Sequence, residues 1–280
     1  MMTKRMREHR TRCHYSAHGL TLAVAPTIIA TESAAASAAT RRSPMVSITN
    51  LVRGLRDLRI TSTPFILTAI AGAGAYAFLQ IADEVSEAEF DNLDRALLLA
   101  FRQPGDPATP LGPPWFREFM AELTALGGYP LLTIIVALVV FYLLIARMFG
   151  PALFTVIAIV SGTAASQLLK LAYDRPRPEL VEQLVTVHTA SFPSGHAAMS
   201  AVVYLTLASL IVRLVDSTPI RVYVLAVALL LTVSIGISRV YLGVHWPSDV
   251  AAGWAFGVAW ASLSWLVVAA LRHWRGREQG

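Results

Sequence analysis

A single cysteine, Cys13, is all the sequence holds, which excludes an internal disulfide and a cysteine metal site. Charge is scarce as well: Asp, Glu, Lys and Arg together make up 15% of the 280 residues, low for a soluble domain. No convincing internal repeat is present, and no ligand cluster is spaced for a metal. What is there is apolar. Hydrophobic residues account for 55% of the chain, and the mean hydropathy is +0.56. Runs of about 20 apolar residues, the length that spans a hydrocarbon layer, recur along it and mark a membrane protein. A net charge of +5 and a pI near 9.7 suggest nucleic acid at first sight. The arginines, however, gather in the N-terminal arm and at the ends of apolar runs, a pattern of membrane topology and not of a nucleic-acid face.

Residues 1–50 form a basic arm with Lys4, Arg5, Arg7, Arg10 and Arg12, then a short apolar run broken by Pro26, then Ser/Ala-rich sequence. It fits either a secretory signal or a disordered arm upstream of a start at Met45. Residues 51–280 form one membrane domain. Six apolar segments are expected at about 64–82, 130–147, 151–172, 196–215, 219–238 and 248–271, giving an all-α, six-span helix bundle. Pro64, Pro130, Pro151, Pro193, Pro219 and Pro247 stand at or just before their starts. Proline suits the first turn of a helix, so these positions are expected to be starts and not kinks.

Arg53, Arg56 and Arg59 precede the first segment, Arg147 lies between the second and third, Arg213 and Arg221 flank the link from fourth to fifth, and Arg272, Arg275 and Arg277 follow the sixth. The positive-inside rule then puts both termini in the cytoplasm. The link 83–127, with nine acidic residues against three arginines, is expected outside. Phe90, Leu93, Leu97 and Phe101 share one helical face, as do Trp115, Phe119 and Leu123. Two short amphipathic helices, lying at the outer interface or capping the bundle, are expected there, joined by a turn at Pro104-Gly105-Asp106.

Three polar clusters interrupt the apolar sequence: Lys170 with Arg175-Pro176-Arg177-Pro178, then Pro193-Ser194-Gly195-His196, then Ser238-Arg239 with His245 and Asp249. Alternating helix direction puts all three on one outer rim, since segments three and five end there and four and six begin there. Lys170 is either a snorkelling lysine or, with Arg177, half of an anion grip. Arg175 can serve the same grip, anchor a headgroup or pair with Asp174. The Pro-Ser-Gly-His stretch is either a plain helix cap or an anion site made by unpaired N–H groups and the helix dipole, with the Gly195 backbone in close approach. His196 beside that anion can donate a proton to a leaving oxygen. His245 is either an interfacial belt residue beside Trp246 or a nucleophile oriented by Asp249, and Arg239 either a rim arginine or a phosphate ligand.

In order and spacing, Lys170-x6-Arg177-Pro178, Pro193-Ser194-Gly195-His196 and Ser238-Arg239-x5-His245-x3-Asp249 resemble the three-part signature of the type 2 phosphatidic acid phosphatase (PAP2) superfamily. Residues 60–272 resemble its membrane branch, which includes bacterial phosphatidylglycerophosphate and undecaprenyl pyrophosphate phosphatases. The resemblance implies a cell-membrane enzyme, acting outside the cytoplasm on a lipid phosphate or pyrophosphate held in the bilayer. It implies His245 as the nucleophile forming a phosphohistidine, Asp249 orienting it, and His196 as general acid and then base. Lys170, Arg177, Ser194, Gly195 and Arg239 are implied to hold the phosphoryl oxygens, with no cofactor and no metal. A phosphotransferase on the same fold and a non-catalytic lipid-binding or transport protein are the rival functions; no nucleic-acid partner is expected.

Overall fold

The computed structural model describes residues 48–185 and 189–278. The basic arm therefore lies outside the described residues, except for its last three positions, which open the first helix. Among the described residues there are eight helices: α1 (Ile48–Ser86), α2 (Asp91–Leu99), α3 (Pro114–Ala125), α4 (Tyr129–Ile145), α5 (Phe149–Tyr173), α6 (Gly195–Leu214), α7 (Thr218–Tyr241) and α8 (Pro247–Glu278). One small hairpin, β1 (Arg102–Gln103) antiparallel to β2 (Asp106–Pro110), lies between α2 and α3.

Five helices are long and apolar enough to cross a membrane, within α1, α5, α6, α7 and α8. The count becomes six if α3 and α4, which meet at a 46° bend, are taken as one span. With 17 residues, α4 is about 25 Å long at 1.5 Å per residue, short of a hydrocarbon core of about 30 Å. Proline stands at the first turn of α4, α7 and α8 as expected. Pro64 does not mark a start: α1 runs through it from Ile48. A proline inside a helix forfeits one backbone hydrogen bond and strains the turn before it, which a long helix can absorb when its neighbours pack against it.

Helix α6 is the centre of the bundle, with 61% of its apolar window buried against 17–33% in the other spans. Its Ala198, Met199, Val202, Val203 and Leu207 form a core with Phe78 and Ala82 of α1, Leu132 of α4, Ile159 of α5, and Ala252 and Phe256 of α8. Elsewhere large apolar side chains point away from the protein, Leu171, Leu230 and Leu168 among them, as in a bundle whose surroundings are as apolar as its core. Helices α6 and α8 approach at backbone distance: a Cβ on Gly257 would fall 2.3 Å from the Cβ of Ala201, and one on Gly253 would fall 2.8 Å from the carbonyl oxygen of Ser194. Small residues permit that approach, and backbone packing replaces the hydrophobic drive that lipid does not supply.

The link between α1 and α4 contains two short helices, α2 and α3. Asp94 and Leu98 of α2 and Met120 and Thr124 of α3 are buried, whereas Leu93, Leu97, Trp115 and Phe119 are exposed. The turn at Pro104-Gly105-Asp106 is the tip of the hairpin, with Gly105 in the left-handed region at φ +81°. Arg102 of β1 is buried and donates to the carbonyl of Tyr241 at 2.9 Å, and the Tyr241 hydroxyl donates back to the carbonyl of Leu111 at 2.8 Å. These bonds fasten the link to the end of α7.

Candidate active site

The three polar clusters come together at one end of the bundle, where α5 and α7 end and α6 and α8 begin. Lys170 lies one turn from the end of α5 and is buried, with Nζ donating to the carbonyl of Ala190 at 2.8 Å. It therefore points inward and does not snorkel. Arg177, after the proline-stiffened turn, donates to the carbonyls of Thr189 at 2.8 Å and Val244 at 2.5 Å. The same guanidinium stands 3.3 Å from Nε2 of His245. Burial lowers its pKa from the ordinary arginine value and Asp249 opposes that shift.

Ser194 is the N-cap of α6, yet its side chain makes no capping bond, and its buried hydroxyl has no hydrogen-bond partner among the described residues. The plain-cap reading is therefore not what the geometry gives. The backbone holds the turn instead: Ser194 N–H donates to the carbonyl of Asp249 at 2.9 Å, and Ala198 N–H to the carbonyl of Ser194 at 2.9 Å. The N–H groups of Gly195, His196 and Ala197 lie in the first turn, where no intrahelical acceptor exists. A Cβ on Gly195 would come 3.3 Å from Cε of Lys170 and 3.4 Å from the hydroxyl of Tyr129. This glycine thus keeps clear the space where the lysine meets the helix start. His196 follows, in the electrostatic field of Arg239, His245, Lys170 and Arg177.

Arg239, near the end of α7, is 3% exposed, which rules out the rim reading. One of its terminal nitrogens donates to the hydroxyl of Thr124 on α3 at 3.2 Å, while Nε has no partner among the described residues. Orphaned donors on Arg239 and Ser194, with three cations and a helix N-terminus converging, make a site suited to a tetrahedral oxyanion.

His245 lies in the short link between α7 and α8 and is 2% exposed, so it is no belt residue. Its Nδ1 stands 3.4 Å from Oδ2 of Asp249, and Nε2 faces Arg177. Burial, partly offset by Asp249, pushes the imidazole down to about 3. At neutral pH the ring is therefore uncharged, and the carboxylate favours the proton on Nδ1, leaving the Nε2 lone pair toward the cations. Asp249 is fully buried and well bonded: Oδ2 accepts from Ser191 at 2.5 Å and from the N–H of Trp246 at 2.9 Å, and Oδ1 from Arg175 at 2.7 Å.

Several contributors were not singled out in the sequence. Ser191 lies three residues before Ser194 in the same cluster, a proximity that could have drawn attention to it. Thr124 and Asp94 sit in the acidic link, and nothing local distinguishes them. Arg175 pairs not with Asp174 but with Asp94, at 2.9 Å, and with Asp249. Among the described residues, no group of three or more His, Cys, Asp or Glu is placed to hold a metal ion.

Comparisons with known proteins identify a family for the chain. A profile described as the PAP2 superfamily matches residues 151–273. The chain is 35% identical over 150 residues to a phosphatidylglycerophosphatase B of Bacillus subtilis, covering 52% of this chain and 71% of that protein. It is 38% identical over 128 residues to a lipid A 1-phosphatase of Rhizobium etli, 42% of this chain and 50% of the other. Among solved structures, it is similar to a transmembrane PAP2-type phosphatidylglycerolphosphate phosphatase from Bacillus subtilis, with a TM-score of 0.60 and 26% identity. That match covers 72% of this chain and 94% of the other.

Proposed function

Since the chain belongs to the PAP2 superfamily, we propose that it is a multi-pass membrane phosphatase that removes a phosphate or pyrophosphate group from a lipid through a phosphohistidine on His245. The observation that carries this reading is the buried His245–Asp249–Ser191 arrangement facing the cations. Nε2 of His245 attacks phosphorus, and the bond from phosphorus to the lipid oxygen, or to the bridging oxygen of a pyrophosphate, breaks with its electron pair on that oxygen. His196 gives the leaving oxygen its proton. Water then attacks the phosphohistidine, His196 takes the water's proton, and the P–N bond breaks to release phosphate and restore His245. Lys170, Arg177, Arg239, the Ser194 hydroxyl and the N–H groups at the start of α6 hold the phosphoryl oxygens as charge builds up in each transition state.

The lipid character of the substrate is supported by an apolar groove of about 520 Å³ between α4, α5 and α6, lined by Val136, Val140, Val156, Ile159 and Met199 and reaching Tyr129 beside Gly195. An acyl or isoprenyl chain fits such a groove with its phosphate at the helix start. Phosphatidic acid, phosphatidylglycerophosphate and undecaprenyl pyrophosphate are the candidate substrates; the similar proteins are named for different lipids, so the class is proposed and not one member. Helix α4 is taken as the second of six spans, entered through the bend from the interfacial α3. Both termini then face the cytoplasm of an inner-membrane protein, and the site and the interfacial helices α2 and α3 face outward, which arginine placement supports.

The test is phosphate release from these three lipids by detergent-purified protein with EDTA present. Release from at least one, abolished in His245→Ala, is expected. Equal release by that variant would overturn the mechanism.

A further inference from the structure

We propose that Arg175 and Asp94 are positioning residues that fix the orienting carboxylate Asp249, so that the link between the first two spans takes part in the chemistry. Arg175 is committed on both terminal nitrogens. One donates to Oδ1 of Asp249 at 2.7 Å and to the hydroxyl of Ser248 at 2.8 Å. The other donates to Oδ2 of Asp94 at 2.9 Å. Asp94 on α2 is 1% exposed, and it in turn accepts from the N–H of Ser248 at 2.8 Å and from the Ser248 hydroxyl at 2.5 Å. It thus caps the first turn of α8, the turn that carries Asp249, from 154 residues away in sequence.

The two oxygens of Asp249 are consequently divided. Oδ1 is taken by Arg175, while Oδ2 serves Ser191, the Trp246 N–H and the imidazole. A carboxylate held on one oxygen cannot rotate to offer the other, so the proton on Nδ1 of His245 meets an acceptor in one fixed position. Arg175 also holds the opposite wall, because its carbonyl accepts from the N–H of Ser191 at 2.8 Å. Its guanidinium lies between two buried carboxylates and balances both; without it, two buried charges lose their partner. Lys170, Arg177 and Arg239 donate to carbonyl and hydroxyl oxygens, whereas Arg175 is paired with two buried carboxylates and belongs behind the phosphate site.

The kinetic arm of the test rests on the proposed phosphatase reading; the second arm does not. In detergent-purified full-length protein, Arg175→Lys and Asp94→Asn are expected to lower kcat on phosphatidic acid by about 10–100-fold, the scale of a small misplacement of a reacting group. The inhibition constant of inorganic phosphate is expected to change by less than about twofold, because neither residue touches the phosphate. A rise in that constant parallel to the loss of kcat would make Arg175 a phosphate ligand and overturn the proposal, as would an unchanged kcat. Nitrogen NMR of labelled histidine supplies the second arm. His245 is expected as the Nδ1–H tautomer in the parent and as a mixture in both variants. If the parent hydrolyses none of the lipids, the phosphatase reading fails, and an unaltered His245 tautomer in both variants would separately overturn the positioning role.

Discussion

The hydroxyl of Ser191 donates to Oδ2 of Asp249 at 2.5 Å, within a wholly buried pair. A hydrogen bond to a charged group in such a place counts for more than one at the surface. Ser191→Ala leaves the oxygen short of one donor on the side that faces His245. The expected result is a fall in kcat of about tenfold with little change in KM. Steady-state phosphate release checks it; an unchanged kcat would mean that the bond has no share in orienting the carboxylate.

At Gly195, a methyl group would press on Cε of Lys170 from 3.3 Å. The flexible lysine can yield, so the fold should survive while the cation moves away from the helix start. Gly195→Ala is expected to weaken inhibition by inorganic phosphate by about tenfold. The unfolding midpoint should stay within about 3 °C of the parent. Equal phosphate affinity in the two proteins would show that the close approach is not needed.

His245 sets a pH window. Its pKa in the folded protein is pushed down to about 3, below the ordinary histidine value of 6.5. Between those limits the unfolded chain binds a proton that the folded chain refuses, so stability from this group is complete above about 6.5 and declines as pH falls toward 3. The loss is up to about 1.4 kcal/mol per pH unit. Thermal unfolding in detergent from pH 7 to 4 should show the decline, and His245→Asn should flatten it. Parallel curves for parent and variant would contradict a neutral buried imidazole.

How much of this was legible in sequence follows from the solvent. Apolar runs such as Phe149–Tyr173 announce themselves because a span must be apolar around most of its circumference. The same condition leaves the inner faces of α2 and α3 unreadable in the sequence. Their apolar stripes, with Leu93, Leu97, Trp115 and Phe119, face away from the protein, while Asp94 and Thr124 are buried against it. Where the surroundings are apolar, an apolar face no longer identifies the inner side. The hairpin escaped notice because β1 has two residues and β2 two prolines. The signature clusters were readable because each packs its polar residues into a few positions. The Arg175 pairing was not, since 81 residues separate it from Asp94 and a nearer acid, Asp174, stood next to it.

In the proposed site, Lys170, Arg177, Arg239 and the start of α6 supply the positive charge. Phosphate release from the preferred lipid is therefore expected to stay within about twofold when EDTA is in excess. Strict loss of activity, restored by a divalent cation, would overturn the metal-free mechanism.

The hairpin tip offers a test of orientation. Gln103 is exposed beside it. With Cys13 replaced by serine, Gln103→Cys is expected to react with a membrane-impermeant maleimide in intact cells. Protection until the cells are opened would put the link, and the site fastened to it, on the cytoplasmic side.

Gly253 lies one helical turn beyond Asp249, against the carbonyl of Ser194 and the Cβ of Ala197. The wall that carries the orienting carboxylate and the wall that carries the helix N-terminus thus touch through bare backbone. The width of the gap in which a phosphoryl group would change hands is set by that contact, as a machined part sets a clearance. One added methyl at position 253 would act as a shim, spreading the walls without replacing any polar residue of the site.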